Sequence, residues 1–415
     1  MSSNTTSSYL SILQKNPSFR HLWYGQVVSE LGDWLNSIAI YSLILEVSDS
    51  GMALAGVMMA KLLPIVFISP YAGIVIDRYD RKLVMIASDL GRFVIVLGFL
   101  AVDGPGDAYL VFILTLLATC LAGFFEPARS AIIPSLIPET DLVGANALSG
   151  STWSIMLALG AAVGGLVVSF AGIQAAFVID AFTFLLSAYF LLKLPANPPI
   201  SLQTEETASG FSSLRDGMHY LFSKPSILVL TLLKSGLAFA GGVMTLIPLY
   251  ANQLFSKPEK ISLAIGVLYS ARGLGAAIGP PLARKCFGDS PSSLKACIVA
   301  SFLLSSICYC FFALSLNLAG ASTALGLATL FGSIIWVYST SLIHIEAENK
   351  YLGRIFSIEL GLLTLVMGLS NWIVGIGIDS FEFSANEAAM MMGAIVAVPG
   401  ILWGAFLLFP MRKKR

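Results

Sequence analysis

The residues best suited to chemistry form a polar stripe in an otherwise apolar segment near the N-terminus. Gln26, Glu30, Asp33, Ser37 and Tyr41 follow one another at steps of four, three, four and four residues, which places them on one face of a helix. Burial favours the neutral form of a carboxyl group and a nearby cation favours its charged form, so such a group can load and release a proton. We predict that Asp33, together with Glu30, binds a proton; the alternative is a fixed ion pair.

Basic residues also interrupt the apolar segments. Lys61, Lys234 and Arg272 lie inside them, and a charge in the centre of a bilayer costs several kcal/mol, about 3 on insertion scales. Lys234 and Arg272 are predicted to bind an anionic group of a ligand, for which arginine offers a two-pronged geometry. The alternative is that they neutralise Glu30, Asp33 or Asp180, while Glu359 is a further charged residue within the predicted helices.

The elements that must position these residues follow from composition. Of 415 residues, 56% are hydrophobic and only 12% are charged, and the net charge is zero; the mean hydropathy is +0.83. Soluble domains are about 25% charged, so this composition excludes a water-soluble enzyme or a nucleic-acid binder. Apolar runs of the length that spans a bilayer, about 20 residues, predict an all-α membrane protein with twelve helices: 19–47, 52–76, 82–102, 108–128, 142–170, 173–194, 226–254, 262–284, 293–315, 318–343, 353–379 and 387–410.

The longest polar interruption divides these helices into six and six. We predict two six-helix halves, 1–195 and 226–415, related by pseudo-twofold symmetry, with a cytoplasmic linker at 196–225 that contains an interfacial amphipathic helix at 211–222. With the N-terminus inside, nineteen of the 24 basic residues fall on inner segments, Arg92 among them, and only Lys257 and Lys260 fall on outer loops. The positive-inside rule then places both termini in the cytoplasm, in a bacterial inner membrane.

The loop between the second and third helices carries the most specific motif. It includes Gly73, Asp77, Arg78, Arg81 and Lys82 and resembles the G-x-x-x-D-R-x-x-R-K motif of the major facilitator superfamily, with Asp80 at a position that is usually glycine. Residues 19–23, 31–34, 126–146 and 214–217 resemble the branch that contains enterobactin-type siderophore exporters and macrolide efflux proteins. Residues 160–165 partly resemble an antiporter motif, without its proline.

This motif predicts a latch on the cytoplasmic side. Asp77 is expected to face the N-terminus of the eleventh helix, where the helix dipole favours a negative charge. The basic residues of the motif, Arg78, Arg81 and Lys82, are expected to pair with acidic residues on neighbouring inner ends: Asp89, Glu126 and Glu346. The alternative is that the basic residues are ordinary membrane anchors.

The superfamily resemblance implies that helices 1, 4, 7 and 10 line a central substrate cavity. Polar residues on these helices are therefore predicted to contact substrate: Gln26, Ser37, Tyr41, Thr115, Thr119, Lys234, Trp336 and Thr340. Arg272 on the eighth helix joins this set through its charge. Trp336 is expected to stack on an aromatic substrate or simply to pack between helices.

Secondary transport is the predicted function. No G-x-x-x-x-G-K-[ST] phosphate loop is present, and no nucleophile–base set or metal-ligand spacing suggests an enzyme, a metal site or a cofactor. We predict a proton-coupled exporter of a small amphipathic molecule, such as a drug or siderophore, that works as a monomer in the lipid bilayer by alternating access. The alternatives are a lipid or metal-ion transporter of the same fold, in which Asp33, Asn36 and His344 are the candidate ligands, and a transport-inactive sensor or scaffold.

Overall fold

Helices account for the whole regular structure of the described chain. The computed structural model describes residues 9–48, 50–196, 210–288 and 290–408. The helices are α1 (Tyr9–Lys15), α2 (Pro17–Val47), α3 (Gly51–Arg78), α4 (Arg81–Gly98), α5 (Ala108–Leu136), α6 (Leu142–Ala171), α7 (Ile173–Leu192), α8 (Gly210–Ser223), α9 (Pro225–Ala238), α10 (Val243–Leu254), α11 (Pro258–Phe287), α12 (Pro291–Ala313), α13 (Leu318–Glu346), α14 (Asn349–Phe381) and α15 (Ala385–Leu408).

The predicted all-α membrane class is confirmed. Among the described residues, eleven segments are long and apolar enough to cross a membrane, with α9 and α10 together making one of them. The remaining predicted span, the first in the chain, corresponds to α2, which is not in that set. This helix carries Glu30 and Asp33 in its central turns, and the polar stripe lowers its mean hydropathy.

Local sequence signals explain where the helices begin. Proline occupies the first turn of α2, α9 and α12, where its missing N–H is not needed. Asn317 accepts a hydrogen bond from the Gly320 N–H at 2.8 Å and caps α13, while Asp80 accepts one from the Lys82 N–H at 2.8 Å and caps α4. The unusual aspartate of the loop motif is therefore a helix cap.

The predicted seventh span is not one continuous helix. A 3-10 turn, Phe239–Gly242, separates α9 from α10. Two glycines in this turn allow the chain to approach α14, because a Cβ on Gly241 would lie 2.4 Å from Cγ of Met367 and one on Gly242 would lie 2.8 Å from Cγ2 of Val374. The Gly241–Gly242 pair was the available sequence signal for this interruption.

The chain divides into two compact units. Unit 1 comprises residues 1–49, 60–203 and 257–266, and unit 2 comprises residues 50–59, 204–256 and 267–415. They depart from the predicted halves, 1–195 and 226–415, at two short segments, the first turns of α3 and of α11. In unit 1, α2 packs against α6 and α7, and α4 packs against α5 and α7; in unit 2, α12 packs against α13 and α15, and α14 packs against α9.

Part of the predicted linker is a helix, as the spacing of its apolar residues indicated. Within unit 2, α8 packs on the first turns of α14, where the Tyr220 and Tyr351 rings stack with centroids 4.0 Å apart. The Tyr220 hydroxyl accepts a hydrogen bond from the Glu348 N–H at 3.2 Å. Residues 197–209, the side chains of residues 210–215 and the basic tail from residue 409 lie outside the described part of the chain.

Candidate functional site

Unit 1 holds the polar stripe of α2. Gln26 is buried and donates from its amide to Oε1 of Glu30 at 2.8 Å and to the main-chain oxygen of Ser149 on α6 at 3.0 Å. The other carboxylate oxygen of Glu30, Oε2, is buried without a hydrogen-bond partner among the described residues. Glu30 is therefore held in place by an amide and not by a cation.

Asp33 faces a buried arginine. Nη1 of Arg92 lies 3.7 Å from Oδ1 of Asp33, and Nη2 of Arg92 lies 2.5 Å from Oδ1 of Asp89. The Arg92 guanidinium stacks over the rings of Phe125 and Phe184, at 4.7 and 4.3 Å from their centroids. Arg92 and Asp89 are almost fully buried, whereas half of the Asp33 side chain is exposed. One buried cation, Arg92, is thus shared by two carboxylates, of which Asp33 is exposed and Asp89 is buried.

The sequence interpretation of Arg92 and Asp89 was wrong. Arg92 was counted among the inner anchors and Asp89 was assigned to the latch. Arg92 lies eleven residues after the first residue of α4, which is about 16 Å along a helix that rises 1.5 Å per residue, so the pair is deep in the span. The available signal was the spacing of three between Asp89 and Arg92, which puts an opposite-charge pair on one helix face.

The stripe continues towards the far end of α2 through a lysine from α3. Ser37 donates its hydroxyl to the main-chain oxygen of Asp33 at 2.7 Å and accepts a hydrogen bond from Nζ of Lys61 at 2.6 Å. The same ammonium group lies 5.1 Å from the centroid of the Tyr41 ring. Lys61 is thus bound to neutral groups of α2.

A second carboxylate, Asp180 on α7, lies against the same helix. Its Oδ2 accepts a hydrogen bond from Nδ2 of Asn36 at 2.6 Å, and its side chain is completely buried. Close approach of α2 and α7 depends on Gly32, because a Cβ there would lie 2.3 Å from Oδ1 of Asp180 and 2.0 Å from Oγ1 of Thr183. Sequence reasoning missed Asn36 as the partner of Asp180.

One of the two predicted threonines of α5, Thr119, is hydrogen-bonded to its own helix, whereas the buried Thr115 hydroxyl has no hydrogen-bond partner among the described residues. Thr119 donates to the main-chain oxygen of Thr115 at 2.8 Å, and Thr115 is 2% exposed. Glu126, further along α5, accepts a hydrogen bond from Arg129 at 2.6 Å. The role of the two threonines in substrate contact stays a prediction.

The loop motif does not form the predicted acid–base pairs. Arg81 donates to the main-chain oxygen of Ala131 at 2.9 Å, and Lys82 donates to those of Leu192 and Leu194 at 2.9 and 2.6 Å. These carbonyl groups lie near the C-terminal ends of α5 and α7, where the helix dipole favours cations.

The acidic residues that were expected to pair with the motif have other partners. Asp89 binds Arg92, Glu126 binds Arg129, and Glu346 lies 2.8 Å from Lys295. Arg78 is exposed, a Cβ on Gly73 would meet no atom within 4 Å, and the side chain of Asp77 lies outside the described part of the chain. A role for Gly73, Asp77 and the three basic residues in conformational change stays a prediction.

Unit 2 contains one fully buried ion pair. Nζ of Lys234 on α9 lies 2.8 Å from Oε2 of Glu359 on α14. The ammonium group is also 4.6 Å from the ring centroid of Trp336 and 5.7 Å from that of Phe356. Both charged side chains are 5% exposed, so Lys234 is neutralised by Glu359, which was not among its predicted partners, and its role in substrate contact stays a prediction.

Arg272 occupies the middle of α11 in the same unit. Its guanidinium lies 5.4 Å from the centroid of the Tyr269 ring, and its buried Nε has no hydrogen-bond partner among the described residues. Thr340 donates to the main-chain oxygen of Trp336 at 2.9 Å, and Trp336 is 43% exposed. Within the described chain, no group of three or more His, Cys, Asp or Glu residues is arranged to hold a metal ion.

The eleven candidate spans of the described chain define a multi-pass membrane protein. The model of the family described as transmembrane secretion effectors matches residues 7–403. The chain therefore belongs to this family of the major facilitator superfamily and is a transporter, not an enzyme.

Named relatives agree with this assignment, and a solved structure shares the fold. The chain is 26% identical over 397 residues to BacE of Bacillus subtilis (strain 168), a protein named for bacilysin export, with 95% of this chain and 94% of that one covered. It is 25% identical to macrolide efflux protein A of Streptococcus pyogenes, covering 91% and 93%. The crystal structure of the nucleoside transporter NupG has a TM-score of 0.71 at 13% identity, covering 94% of this chain and 99% of that one.

Proposed function

We propose that this transporter is an exporter that exchanges a small amphipathic molecule, such as a drug or a siderophore, for protons. The observation that carries this proposal is the arrangement of Asp33 and Arg92. A half-exposed carboxylate lies 3.7 Å from a buried guanidinium that already has a second carboxylate, Asp89, at 2.5 Å. When Asp33 takes a proton, Arg92 keeps Asp89 as its partner. Proton binding by Asp33 therefore leaves no buried charge without a partner.

Export is supported by the names of relatives that match nearly the full chain, which refer to macrolide efflux and to bacilysin export. Asp33 is the proposed proton carrier, and Glu30, one turn away and without a cationic partner, is the second site. An alternating-access cycle requires one proton-binding group that the aqueous phase can reach, and Asp33 is the more accessible of the two carboxylates beside Arg92.

Substrate contact is assigned to polar and aromatic groups on α2, α5, α9, α11 and α13. Trp336 has an open surface beside a bound ammonium group, which suits an amphipathic molecule with an aromatic or apolar body. Gln26, Ser37, Tyr41, Thr115, Thr119, Lys234, Arg272 and Thr340 complete the proposed set. The transporter acts as a monomer in the inner membrane with both termini in the cytoplasm, and reassigning Arg92 to the membrane interior leaves the basic excess on that side large.

The test is proton exchange in everted membrane vesicles with an imposed pH gradient. Addition of a transported compound from a panel of macrolides, other hydrophobic drugs and siderophores should collapse the gradient, as reported by a pH-sensitive dye. Asp33→Asn should abolish this response. Asp103→Asn, which changes an exposed aspartate outside the helices, is the matched control and should leave it intact. Undiminished gradient-dependent exchange by Asp33→Asn would rule out Asp33 as the essential carrier.

The same vesicles separate the alternatives. Transport of a divalent cation or of a labelled lipid with no response to the drug panel would select the lipid or metal-ion alternative. No transport by the unmodified chain under any gradient would favour a sensor or scaffold. A deletion strain tests the physiological role. Loss of growth only on low iron, without drug sensitivity, would select siderophore export.

A further inference from the structure

Asp180 is a buried carboxyl group that forms no ion pair with the described residues. Its exposed fraction is 0%, and among the described residues no lysine, arginine or histidine nitrogen lies within ion-pair distance of it. Arg92 is engaged by Asp33 and Asp89, and Lys61 by Ser37. An isolated carboxylate in an apolar interior is costly, and such a group usually becomes neutral instead.

Hydrogen-bond donors at Asp180 give independent evidence. Thr183 donates its hydroxyl to the main-chain oxygen of Asp180 at 2.7 Å, and the same Oγ1 lies 3.2 Å from Oδ1 of Asp180. A threonine hydroxyl has one hydrogen and two acceptor lone pairs. The hydrogen of the Thr183 hydroxyl is used in the shorter bond, to the main-chain oxygen of Asp180. The contact between Oγ1 and Oδ1 is therefore most favourable when Asp180 carries a proton and donates it to Oγ1 of Thr183.

The charges of unit 1 favour such a neutral group. Apart from the Glu126–Arg129 pair of α5, which is neutral as a whole, the central turns of its described helices contain more acidic than basic residues: Glu30, Asp33, Asp89 and Asp180 against Lys61 and Arg92. In a medium of low dielectric constant, near-neutrality is reached when two of the four carboxyl groups are protonated. The two without a cation are Glu30 and Asp180.

We propose that Asp180 is a second proton-binding site of this transporter, separate from Asp33, which holds a proton as a neutral carboxylic acid bound to Asn36 and Thr183. The proton adds to Oδ1, where it forms the O–H bond and is donated to Oγ1 of Thr183. The site itself does not depend on the proposed function, but its participation in transport does, because a proton on Asp180 leaves only when the neighbouring charges change.

Those neighbouring charges lie on the helices packed against α7. They are Glu30 and Asp33 on α2 and Asp89 and Arg92 on α4, while α6 carries no ionisable side chain. When Asp33 is protonated, this group loses one negative charge. The positive charge of Arg92 is then less fully neutralised, and it favours ionisation of Asp180. The two carboxyl groups are thereby expected to exchange roles during the cycle.

Infrared spectroscopy of the reconstituted protein tests the site without knowledge of the substrate. At a pH of about 8, exposed carboxylates, whose usual pKa values are about 4, are ionised, so the carbonyl stretch of protonated carboxylic acids reports buried groups. The unmodified protein should show this band, and Asp180→Asn should lose one component. Glu359→Gln, which changes a buried, ion-paired carboxyl group of unit 2, is the control and should retain that component. An unchanged band in Asp180→Asn would overturn the proposal.

Thermal unfolding supplies a second measurement. An asparagine at position 180 has the shape of a protonated aspartic acid, and its Nδ2 can donate to Oγ1 of Thr183. Asp180→Asn should therefore unfold within a few degrees of the unmodified protein, while Asp180→Leu, which leaves Asn36 unpaired, should unfold earlier. If Asp180→Asn lowers the unfolding temperature as much as Asp180→Leu does, Asp180 is a charged carboxylate in the unmodified protein, which would contradict the proposal. Failure of vesicle transport with the infrared result intact would reject the proposed function and not this site.

Discussion

The two units bury charge in different ways. Unit 1 has four carboxyl groups and two cations in the central turns described above, and its most buried ion pair, Arg92 with Asp89, has a third member in Asp33. The most buried ion pair of unit 2, Lys234 with Glu359, is a closed pair, with no third charged member among the described residues, and lies beside Trp336. An excess of acids leaves groups that can bind protons, whereas a closed pair fixes two helices. This difference assigns proton chemistry to unit 1 and helix–helix attachment to the pair in unit 2.

The largest effect is expected from removing the shared cation of unit 1. Arg92→Met should lower the free energy of unfolding by about 5 kcal/mol, the upper end of what breaking a buried ion pair costs, because fully buried Asp89 loses its partner. Chemical denaturation of the detergent-purified protein measures it. Arg78→Met, at an exposed position, should change the free energy by less than about 0.5 kcal/mol. Equal effects of the two substitutions would show that Arg92 is not a buried ion-pair member.

The closed pair of unit 2 should respond less and should be replaceable. Lys234→Met is expected to cost about 3 kcal/mol, because only one carboxylate, Glu359, is left unpaired. The double substitution Lys234→Met with Glu359→Met should recover most of that loss, since an apolar pair of similar volume substitutes for a buried ion pair. No recovery in the double variant would indicate that the pair acts through more than neutralisation.

Close packing beside Asp180 should be sensitive to a single methyl group. Gly32→Ala would place its Cβ 2.0 Å from Oγ1 of Thr183, so α2 and α7 must separate, at a cost of about 2 kcal/mol. Gly361→Ala on α14, where an added Cβ meets nothing within 4 Å, is the control and should be neutral or slightly stabilising. Thermal unfolding of both variants tests this prediction. Equal melting temperatures would contradict the close approach of α2 and α7.

The smallest effect is expected at the aromatic shield of unit 2. Trp336→Leu removes a ring 4.6 Å from the Lys234 ammonium group and should cost about 1 kcal/mol. Trp372 is equally exposed, at 44% against 43% for Trp336, and Trp372→Leu serves as the control. Chemical denaturation compares the two variants. If the two substitutions lower the free energy of unfolding equally, packing alone explains the effect at Trp336, and its ring does not stabilise the ion pair.

Helix positions were largely predictable because their causes are local. Long apolar runs, prolines in first turns and polar caps such as Asn317 act over a few residues. The predicted spans therefore match α2 to α7 and α9 to α15 within several residues, except that α5 continues to Leu136 and the seventh span is interrupted at Phe239–Gly242. The short helix α1 was not predicted.

Partners were not predictable because they depend on contacts distant in sequence. The latch residues Arg81 and Lys82 were expected to bind carboxylates, but helix ends with free carbonyl groups come closer. Arg92 was taken for an anchor, because periodicity does not give depth when a charged residue lies near a loop motif. Only the packing of α4 on α5 and α7 shows that its guanidinium is covered by Phe125 and Phe184.

The sequence by itself determined that this chain crosses a membrane and that a few charges lie within its helices. Composition and helical spacing are sufficient for that, because burying a charge in lipid is costly wherever it occurs. Tertiary structure alone decided which charges neutralise one another: Lys234 meets Glu359 across 125 residues, and Asp180 meets Asn36, not a cation, across 144. Pairing depends on distances of a few ångströms, and these exist only once the helices have packed.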